Sequence, residues 1–175
     1  MKSPIQAHSP DFLVAELQAR GLYYLIGPLP APATPRLEAH QLLAELAIQQ
    51  DARLRSALIP LFLQQPYLAS ALPAALALLS DDQQKTLKVY YTAAVLLQAE
   101  YQNQLTSSIA GWRPLPDLFS SELGVDELGP IDARLQQLGA FHTNLAGLRA
   151  NWPGTYRHAA ERLINRLQLE ERWAA

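Results

Sequence analysis

The sequence contains no cysteine, which excludes disulfide bonds, thiolate nucleophiles and thiolate metal ligands together. Charged residues are also scarce. They make up 17% of the 175 residues, and the formal net charge is -2. A nucleic-acid phosphate backbone usually attracts a clearly basic face, and this composition provides none in general. Any contact with nucleic acid would therefore have to be local, and we expect no nucleic-acid partner.

Motifs for catalysis and cofactor binding are absent as well. The sequence has no H-E-x-x-H or paired Glu-x-x-His motif, no phosphate-binding G-x-x-x-x-G-K-[ST] loop, no G-x-G-x-x-G and no G-x-S-x-G. The four histidines are scattered along the chain, and the spacing of His158 and Glu161 indicates a solvated pair on a helix. We therefore expect a protein that is not an enzyme, with no catalytic, cofactor-binding or metal-binding residues.

One long apolar stretch, ALIPLFLQQPYLASALPAALALL at 57–79, has the length of a membrane span. Gln64, Gln65 and Pro66 interrupt it near the middle, and Pro73 interrupts it again. Proline is tolerated in the first turn of a helix, so the stretch predicts three short helical pieces in the centre of the fold rather than a membrane contact. The N-terminus lacks the basic start and continuous apolar segment of a secretory signal, and we expect a cytoplasmic protein.

The composition that remains favours helices packed on helices. Hydrophobic residues make up 49% of the chain, with many leucines and alanines, which predicts an all-α, single-domain bundle of about six to eight helices. We expect residues 1–35 to form an N-terminal helical arm and a proline-rich spacer, and residues 36–175 to form the bundle. The P-x-x-P spacing from Pro32 to Pro35 is explained by a plain linker. No segment recurs at a fixed period, so a stacked-repeat protein is not indicated.

Local signals place the first helices. Ser9 is a candidate N-cap for the first helix, and Gly21 suits the left-handed residue that ends it. Thr34 and Pro35 are expected to cap and begin the second helix. The segment between these helices, GLYYLI, fits a short strand or a further turn equally well.

The middle of the chain predicts the longest helix. Residues 81–105, with Ser80 as N-cap, carry a seam of apolar residues at alternating steps of four and three. Gln98 interrupts this seam, and a polar residue at such a position can fix register or join a buried network. A further helix begins at Ile131 and is expected to be weakened at Gly139 and Gly147.

Residues 106–130 have no sustained helical period. Loops of this length in compact domains are usually functional or tied down by their own side chains. Trp112 and Phe119 are the candidate anchors that would tie this loop across the bundle. The alternative is a recognition loop that presents the same two residues to a partner.

The final segment, 151–173, predicts an amphipathic helix. Its core face carries Tyr156, Ala160, Leu163, Ile164 and Leu167. Four other residues fall roughly opposite this face on a helical wheel: Arg162, Arg166, Leu169 and Trp173. Arginine and tryptophan are enriched at protein interfaces, so this strip is a candidate site for a partner or for a second copy of the chain. Otherwise the last turn frays or another segment, such as the N-terminal arm, covers Trp173.

These observations favour a non-catalytic helical adaptor or regulator, such as an antitoxin-like or operon-partner subunit. It would act through the C-terminal strip and the Trp112 loop. Two alternatives remain open. One is a DNA-binding regulator that uses local arginines: Arg53, Arg55, Arg157, Arg162 and Arg166. The other is a helical enzyme or small-ligand carrier with a pocket between Tyr90, Tyr101 and the long loop.

Overall fold

A computed structural model describes residue 5 and the ranges 7–25 and 34–175. The elements in these ranges are α1 (Pro10–Ala19), α2 (Ala39–Ile48), α3 (Ala52–Ser56), α4 (Leu58–Gln64), a 3-10 helix (Pro66–Ala71), α5 (Leu72–Leu78), α6 (Asp81–Gln98), α7 (Gln102–Ser108), α8 (Ile131–Ala146) and α9 (Trp152–Ala174). No strand occurs among the described residues, and they form one compact domain. The all-α prediction is confirmed. Most of the predicted spacer, including Pro32, lies outside the described residues.

The apolar stretch at 57–79 forms the centre of the bundle, as predicted. It divides into α4, the 3-10 helix and α5, with Pro66 beginning the second piece and Pro73 in the first turn of the third. Leu58, Ile59 and Phe62 have no exposed surface, and α4 packs against both α6 and α9. No single helix in the described ranges has the length and hydropathy to cross a membrane. Segments 52–64 and 66–78 have this length and hydropathy only when they are counted together, and the two segments meet at a bend of 116°.

The N-terminal arm follows the predicted capping pattern. The hydroxyl of Ser9 accepts a hydrogen bond from the backbone N–H of Phe12 at 3.2 Å, so it satisfies one of the free donors of α1. Gly21 takes a left-handed conformation, with φ of 80°, just after the helix ends. Leu13 and Leu17 are buried and attach the arm to the bundle.

The second helix begins later than predicted. It starts at Ala39, and its N-cap is Glu38, which forms a reciprocal capping box with Gln41. Residues 34 to 38 are not helical because a buried side chain holds them along α1. The carboxylate of Glu16 accepts hydrogen bonds from the backbone N–H groups of Arg36 and Leu37 at 2.9 to 3.0 Å. This long-range contact overrides the local signal at Thr34 and Pro35.

The prediction of one continuous helix at 81–105 is wrong. Ser80 does cap α6 with Gln83 in a capping box, but α6 ends at Gln98 and a turn separates it from α7. At Tyr101 the backbone leaves the helical region, with φ of -114° and ψ of 15°. The turn redirects the chain so that α7 packs against α9. As a result α9, with 23 residues, is longer than α6.

The helix α8 is continuous through Gly139, which corrects the expected weakening there. Gly139 lies where α9 crosses α8, and a Cβ atom at this position would come within 3.1 Å of Cδ of Pro153 and 3.4 Å of Cβ of Trp152. The missing side chain thus permits the close approach of the two helices. Gly147, in contrast, ends α8 in a left-handed conformation, with φ of 64°.

We expect Gly139→Val to destabilise the fold by about 2 kcal/mol, because the added methyl groups must push Pro153 out of its packed position. Urea denaturation measures this loss. Ala140→Val is the matched control, because Ala140 is the next residue of α8 and is exposed. It should cost only the helix-propensity difference of about 0.5 kcal/mol. Equal losses in the two variants would contradict the close approach at Gly139.

Candidate functional site

The outer face of α9 carries the four residues of the predicted strip. The predicted core face is buried on the opposite side, with Tyr156, Leu163 and Leu167 at most 6% exposed. Arg162, Arg166, Leu169 and Trp173 follow one another at steps of four, three and four, and so share one side of the helix. We call these four residues the outer strip. The helical wheel therefore divides α9 correctly into a core face and an outer face.

The first half of the outer strip contacts the chain's own N-terminal segment. Arg162 lies over the ring of Tyr24, with Cζ 4.6 Å from the ring centroid, and its Nη2 donates to the backbone oxygen of Tyr24 at 2.8 Å. Arg166 contacts Tyr23 in the same way. Its Cζ lies 4.2 Å from the ring centroid, and its Nη1 donates to the backbone oxygen of Tyr23 at 3.2 Å. Each cation–π contact is worth about 0.5–1 kcal/mol at a partly exposed site. The segment 22–25, which the sequence left open between strand and turn, is neither helix nor strand and lies along α9.

The electrostatics at Tyr24 reflect the same contact. Burial raises the pKa of the Tyr24 hydroxyl, and the guanidinium of Arg162 acts in the opposite direction. Arg162 forms no ion pair with a carboxylate among the described residues. It therefore keeps an uncompensated positive charge at the surface of the bundle.

A groove of 280 Å³ lies between the N-terminal segment and α9. Its lining consists of Leu22, Tyr23, Tyr24, Pro60, Arg162, Leu163, Asn165, Arg166 and Leu169. Most of these contribute apolar surface, and the two arginines add cationic groups. Such a groove suits an apolar side chain that is followed by a carboxylate.

The second half of the outer strip is exposed to solvent. Leu169 is 51% exposed and Trp173 is 88% exposed, and Tyr23 beside the groove is 46% exposed. The last turns of α9 are nevertheless held in place. Nε of Arg166 donates to Glu170 at 2.7 Å, and the hydroxyl of Ser108 donates to Glu171 at 2.5 Å. Trp173 is thus presented on an anchored helix, and the described residues of the N-terminal arm leave it exposed.

The loop residues Trp112 and Phe119 contact this chain's own bundle. Nε1 of Trp112 donates to the backbone oxygen of Leu63 at 2.9 Å, and the ring of Phe119 meets the ring of Tyr91 edge to face at 5.6 Å. These contacts tie the loop across α4 and α6. Trp112 also lines a surface depression of 470 Å³ together with Tyr67, which is 68% exposed. A role for Trp112 and Phe119 in partner binding stays a prediction.

Two hydrogen bonds from Gln98 fix the same loop. Its Nε2 donates to the backbone oxygen of Leu115 at 2.9 Å, and its Oε1 accepts from the backbone N–H of Leu115 at 2.7 Å. Next to them, the hydroxyl of Tyr91 donates to the backbone oxygen of Pro116 at 2.7 Å. Gln98 thus joins the polar network that the sequence pattern indicated. In combination with the aromatic anchors, these bonds explain how a loop of this length lies ordered on the bundle.

The arginines of the DNA-binding alternative are occupied in different ways. Arg53 pairs with Asp51 at 3.0 Å, and Arg157 pairs with both Glu100 and Asp132. Arg55 donates to backbone oxygens at the end of α2. The ion pairs reduce the positive charge that Arg53 and Arg157 offer to phosphates, whereas Arg55 keeps its charge. Arg162 and Arg166 share the outer side of α9 and lie over the rings of Tyr24 and Tyr23. The DNA-binding role stays a prediction.

The sequence reasoning missed a buried polar cluster at the crossing of α8 and α9. Nδ1 of His142 lies 2.7 Å from the hydroxyl of Tyr156, and the imidazole stacks on Trp152 with ring centroids 3.6 Å apart. Tyr90 meets His142 edge to face at 5.3 Å. His142 is 3% exposed, and Tyr90 and Tyr156 are fully buried. The rings therefore fill this part of the core. A ligand pocket between Tyr90, Tyr101 and the long loop stays a prediction.

The pKa values in this cluster are shifted by burial. Burial, assisted by the positive charge of Arg55, lowers the pKa of His142 to about 4. Burial also raises the pKa of Tyr156 well above its usual range, with a smaller contribution from Tyr90. Both groups are consequently neutral at pH 7. A signal for His142 was present in the sequence, because Leu135, Leu138 and His142 follow the three-and-four spacing of a core face.

A scan against protein-family models finds no match, and searches of curated proteins and of solved structures find no significant similarity. Within the described residues, no group of three or more His, Asp or Glu side chains could hold a metal ion. The class that the fold defines is that of all-α helical bundles. Any statement about function rests on the geometry of this chain.

Proposed function

We propose that the protein is a non-catalytic, cytoplasmic adaptor or regulator, of the kind found as antitoxin-like or operon-partner subunits, that binds another protein through the outer strip of α9. The observation that supports this proposal most strongly is Trp173, a side chain 88% exposed on a helix whose last turns are anchored. Large apolar side chains in such positions often mark interaction sites. Leu169, one turn away and half exposed, extends the same surface.

The chemistry of the groove defines the partner that fits. Leu22, Leu163 and Leu169 offer an apolar floor, and Arg162 offers a cation without a carboxylate partner in the described part of the chain. An amphipathic helix with apolar residues on one face and a glutamate or aspartate beside them satisfies both features. A second copy of this chain is less suitable. The four residues of the outer strip include no carboxylate that could pair with Arg162 of a second copy, and the neighbouring Glu170 is already bound to Arg166.

The double variant Leu169→Ala with Trp173→Ala should abolish the interaction, because it removes the exposed apolar surface of the strip. Tagged protein is isolated from its native host at moderate salt, and stoichiometric partners are identified by mass spectrometry. A partner protein that accompanies the wild type and is lost in the variant is the expected result. The unfolding free energy should change by no more than about 0.5 kcal/mol, because both side chains are exposed.

Leu128→Ala is the matched control, because Leu128 is 88% exposed but lies in the long loop. It should retain the partner. Sedimentation velocity on the purified protein distinguishes self-association. A dimer that the double variant abolishes would replace the proposed partner by a second copy of the chain. A partner retained by the double variant would show that the outer strip is not its binding site.

A further inference from the structure

A second cleft lies beside the crossing of α8 and α9, where His142 forms part of its lining. It has a volume of 370 Å³ and opens between the end of α2, the start of α6 and the end of α8, and Arg55 of α3 contributes to its lining. Its lining consists of Ala47, Ile48, Gln49, Gln50, Arg55, Asp82, Gln83, Thr86, His142, Leu145 and Ala146. The cleft therefore combines apolar side chains with the buried edge of the histidine cluster.

The hydrogen bond to Tyr156 determines which proton His142 carries. Tyr156 is fully buried, and His142 is the hydrogen-bond partner that the structure gives its hydroxyl. If Nδ1 donated to Tyr156, the hydroxyl hydrogen would be buried without an acceptor, at a cost of about 1–3 kcal/mol. Tyr156 therefore donates to Nδ1 of His142. In the neutral imidazole the remaining proton lies on Nε2, which becomes a donor.

This Nε2–H group has no protein partner among the described residues. The imidazole is part of the cleft lining. Nε2 is not one of the fully buried polar atoms without a hydrogen bond, so part of its surface is exposed. The donor is thus accessible from the cleft, although His142 as a whole is only 3% exposed. It offers a directed hydrogen bond to an acceptor in the cleft.

Arg55 supplies the charge in the same cleft. Its Nη1 donates to the backbone oxygens of Gln49 and Gln50, the latter at 3.0 Å, which holds the half-buried guanidinium at the end of α2. No ion pair of Arg55 occurs in ranges 7–25 and 34–175. The other ionisable group of the lining, Asp82, is bound to Lys85 at 3.3 Å with its side chain 82% exposed, so solvent screens it.

We propose that this cleft binds a small organic carboxylate, whose anionic group accepts hydrogen bonds from Arg55 and from Nε2 of His142 while its apolar part lies against Ile48, Leu145 and Ala146. Both fixed polar groups are donors, so the ligand must offer acceptors. The unpaired guanidinium favours an acceptor with negative charge. The apolar wall favours a ligand with a hydrocarbon part over an inorganic anion.

Sodium hexanoate is the probe for this site, and the ring nitrogens of His142 are the reporters. Protein with ¹⁵N-labelled histidine is titrated at pH 7 to about 10 mM probe, ten times the Kd of a weak millimolar site. The Nε2 resonance of His142 should shift in a saturable way, while those of His40 and His158 should not. Hexanamide, which lacks the charge, and inorganic phosphate, which lacks the hydrocarbon part, should each bind at least about tenfold more weakly.

Two variants test the site directly. Arg55→Gln should weaken hexanoate binding at least about tenfold, since a hydrogen bond to a charged group is lost. Ala146→Trp should block binding by filling the cleft, and because Ala146 is exposed at the end of α8, the fold should tolerate the change. Ala140→Trp is the matched control, an exposed alanine of the same helix outside the cleft lining.

Three results would overturn the inference. The first is the absence of a saturable shift at His142 with hexanoate. The second is equal binding of hexanoate and hexanamide, which would show that Arg55 does not select a charge. The third is equal binding by the Ala146→Trp and Ala140→Trp variants, which would place the probe elsewhere. None of these measurements involves the outer strip of α9, so they test the cleft independently of the proposed function.

Discussion

Acidification from pH 7 to pH 4 should lower the unfolding free energy by about 3 kcal/mol through His142 alone. The pKa of this imidazole is about 4 in the folded protein, against about 6.5 in an unfolded chain. Below pH 6.5 the unfolded chain therefore binds a proton that the folded protein excludes. Each pKa unit of difference corresponds to about 1.4 kcal/mol, so stability is complete above pH 6.5 and is lost as the pH falls towards 4.

Urea denaturation at a series of pH values measures this loss, and His142→Gln is the comparison variant. The glutamine oxygen can accept the hydrogen bond of Tyr156 but does not titrate. His8, His40 and His158 remain in both proteins, as do all carboxylates, so the difference between the two pH profiles isolates His142. Profiles that run parallel between pH 4 and pH 6.5 would show that the imidazole is not held neutral by burial.

The central part of the fold could be predicted because its signals are local. Pro66 and Pro73 divide the apolar stretch whatever the tertiary contacts are, since proline has no N–H and readily begins a helix. Ser9 and Ser80 act on backbone groups within three residues of themselves. The core face of α9 follows from helical periodicity alone. These elements were therefore predicted correctly from sequence.

The errors occur where distant residues determine local structure. Nothing near residue 34 indicates that Glu16 will hold the backbone of Arg36 and Leu37 and delay the start of α2. The seam of α6 continues its spacing past Gln98, although the chain turns there to place α7 on α9. Gly139 looks like a weak point in a helix, and only the approach of Pro153 gives it a packing role.

The candidate site divides in the same way. The outer strip of α9 follows from a helical wheel, because the wheel needs only the position of each residue within one helix. The contact of Tyr23 and Tyr24 with this strip joins residues more than 130 positions apart, and no periodicity predicts it. The pairing of His142 with Tyr156 likewise depends on how two helices cross. Sequence patterns predict on which face of a helix a residue lies, but the packing of the helices determines which residues of other segments contact that face.

Glu16→Ala should destabilise the protein by about 3 kcal/mol. Glu16 is 1% exposed, and its carboxylate accepts hydrogen bonds from the backbone N–H groups of Arg36 and Leu37. Hydrogen bonds to a charged group contribute about 1.5–3 kcal/mol, and truncation removes the acceptor from both donors at once. Amide hydrogen exchange should also become faster throughout α1, because this carboxylate joins α1 to the segment before α2.

The size of this effect distinguishes a buried carboxylate from an exposed one. Glu122→Ala removes a carboxylate that is 52% exposed and pairs with Lys88 at 2.5 Å. An ion pair of this kind contributes at most about 1 kcal/mol, so this variant should be nearly neutral. Glu16→Gln keeps one acceptor oxygen and should lie between the two alanine variants. If Glu16→Ala and Glu122→Ala unfold at the same urea concentration, water replaces the carboxylate at Arg36 and Leu37, and Glu16 does not hold the N-terminal arm.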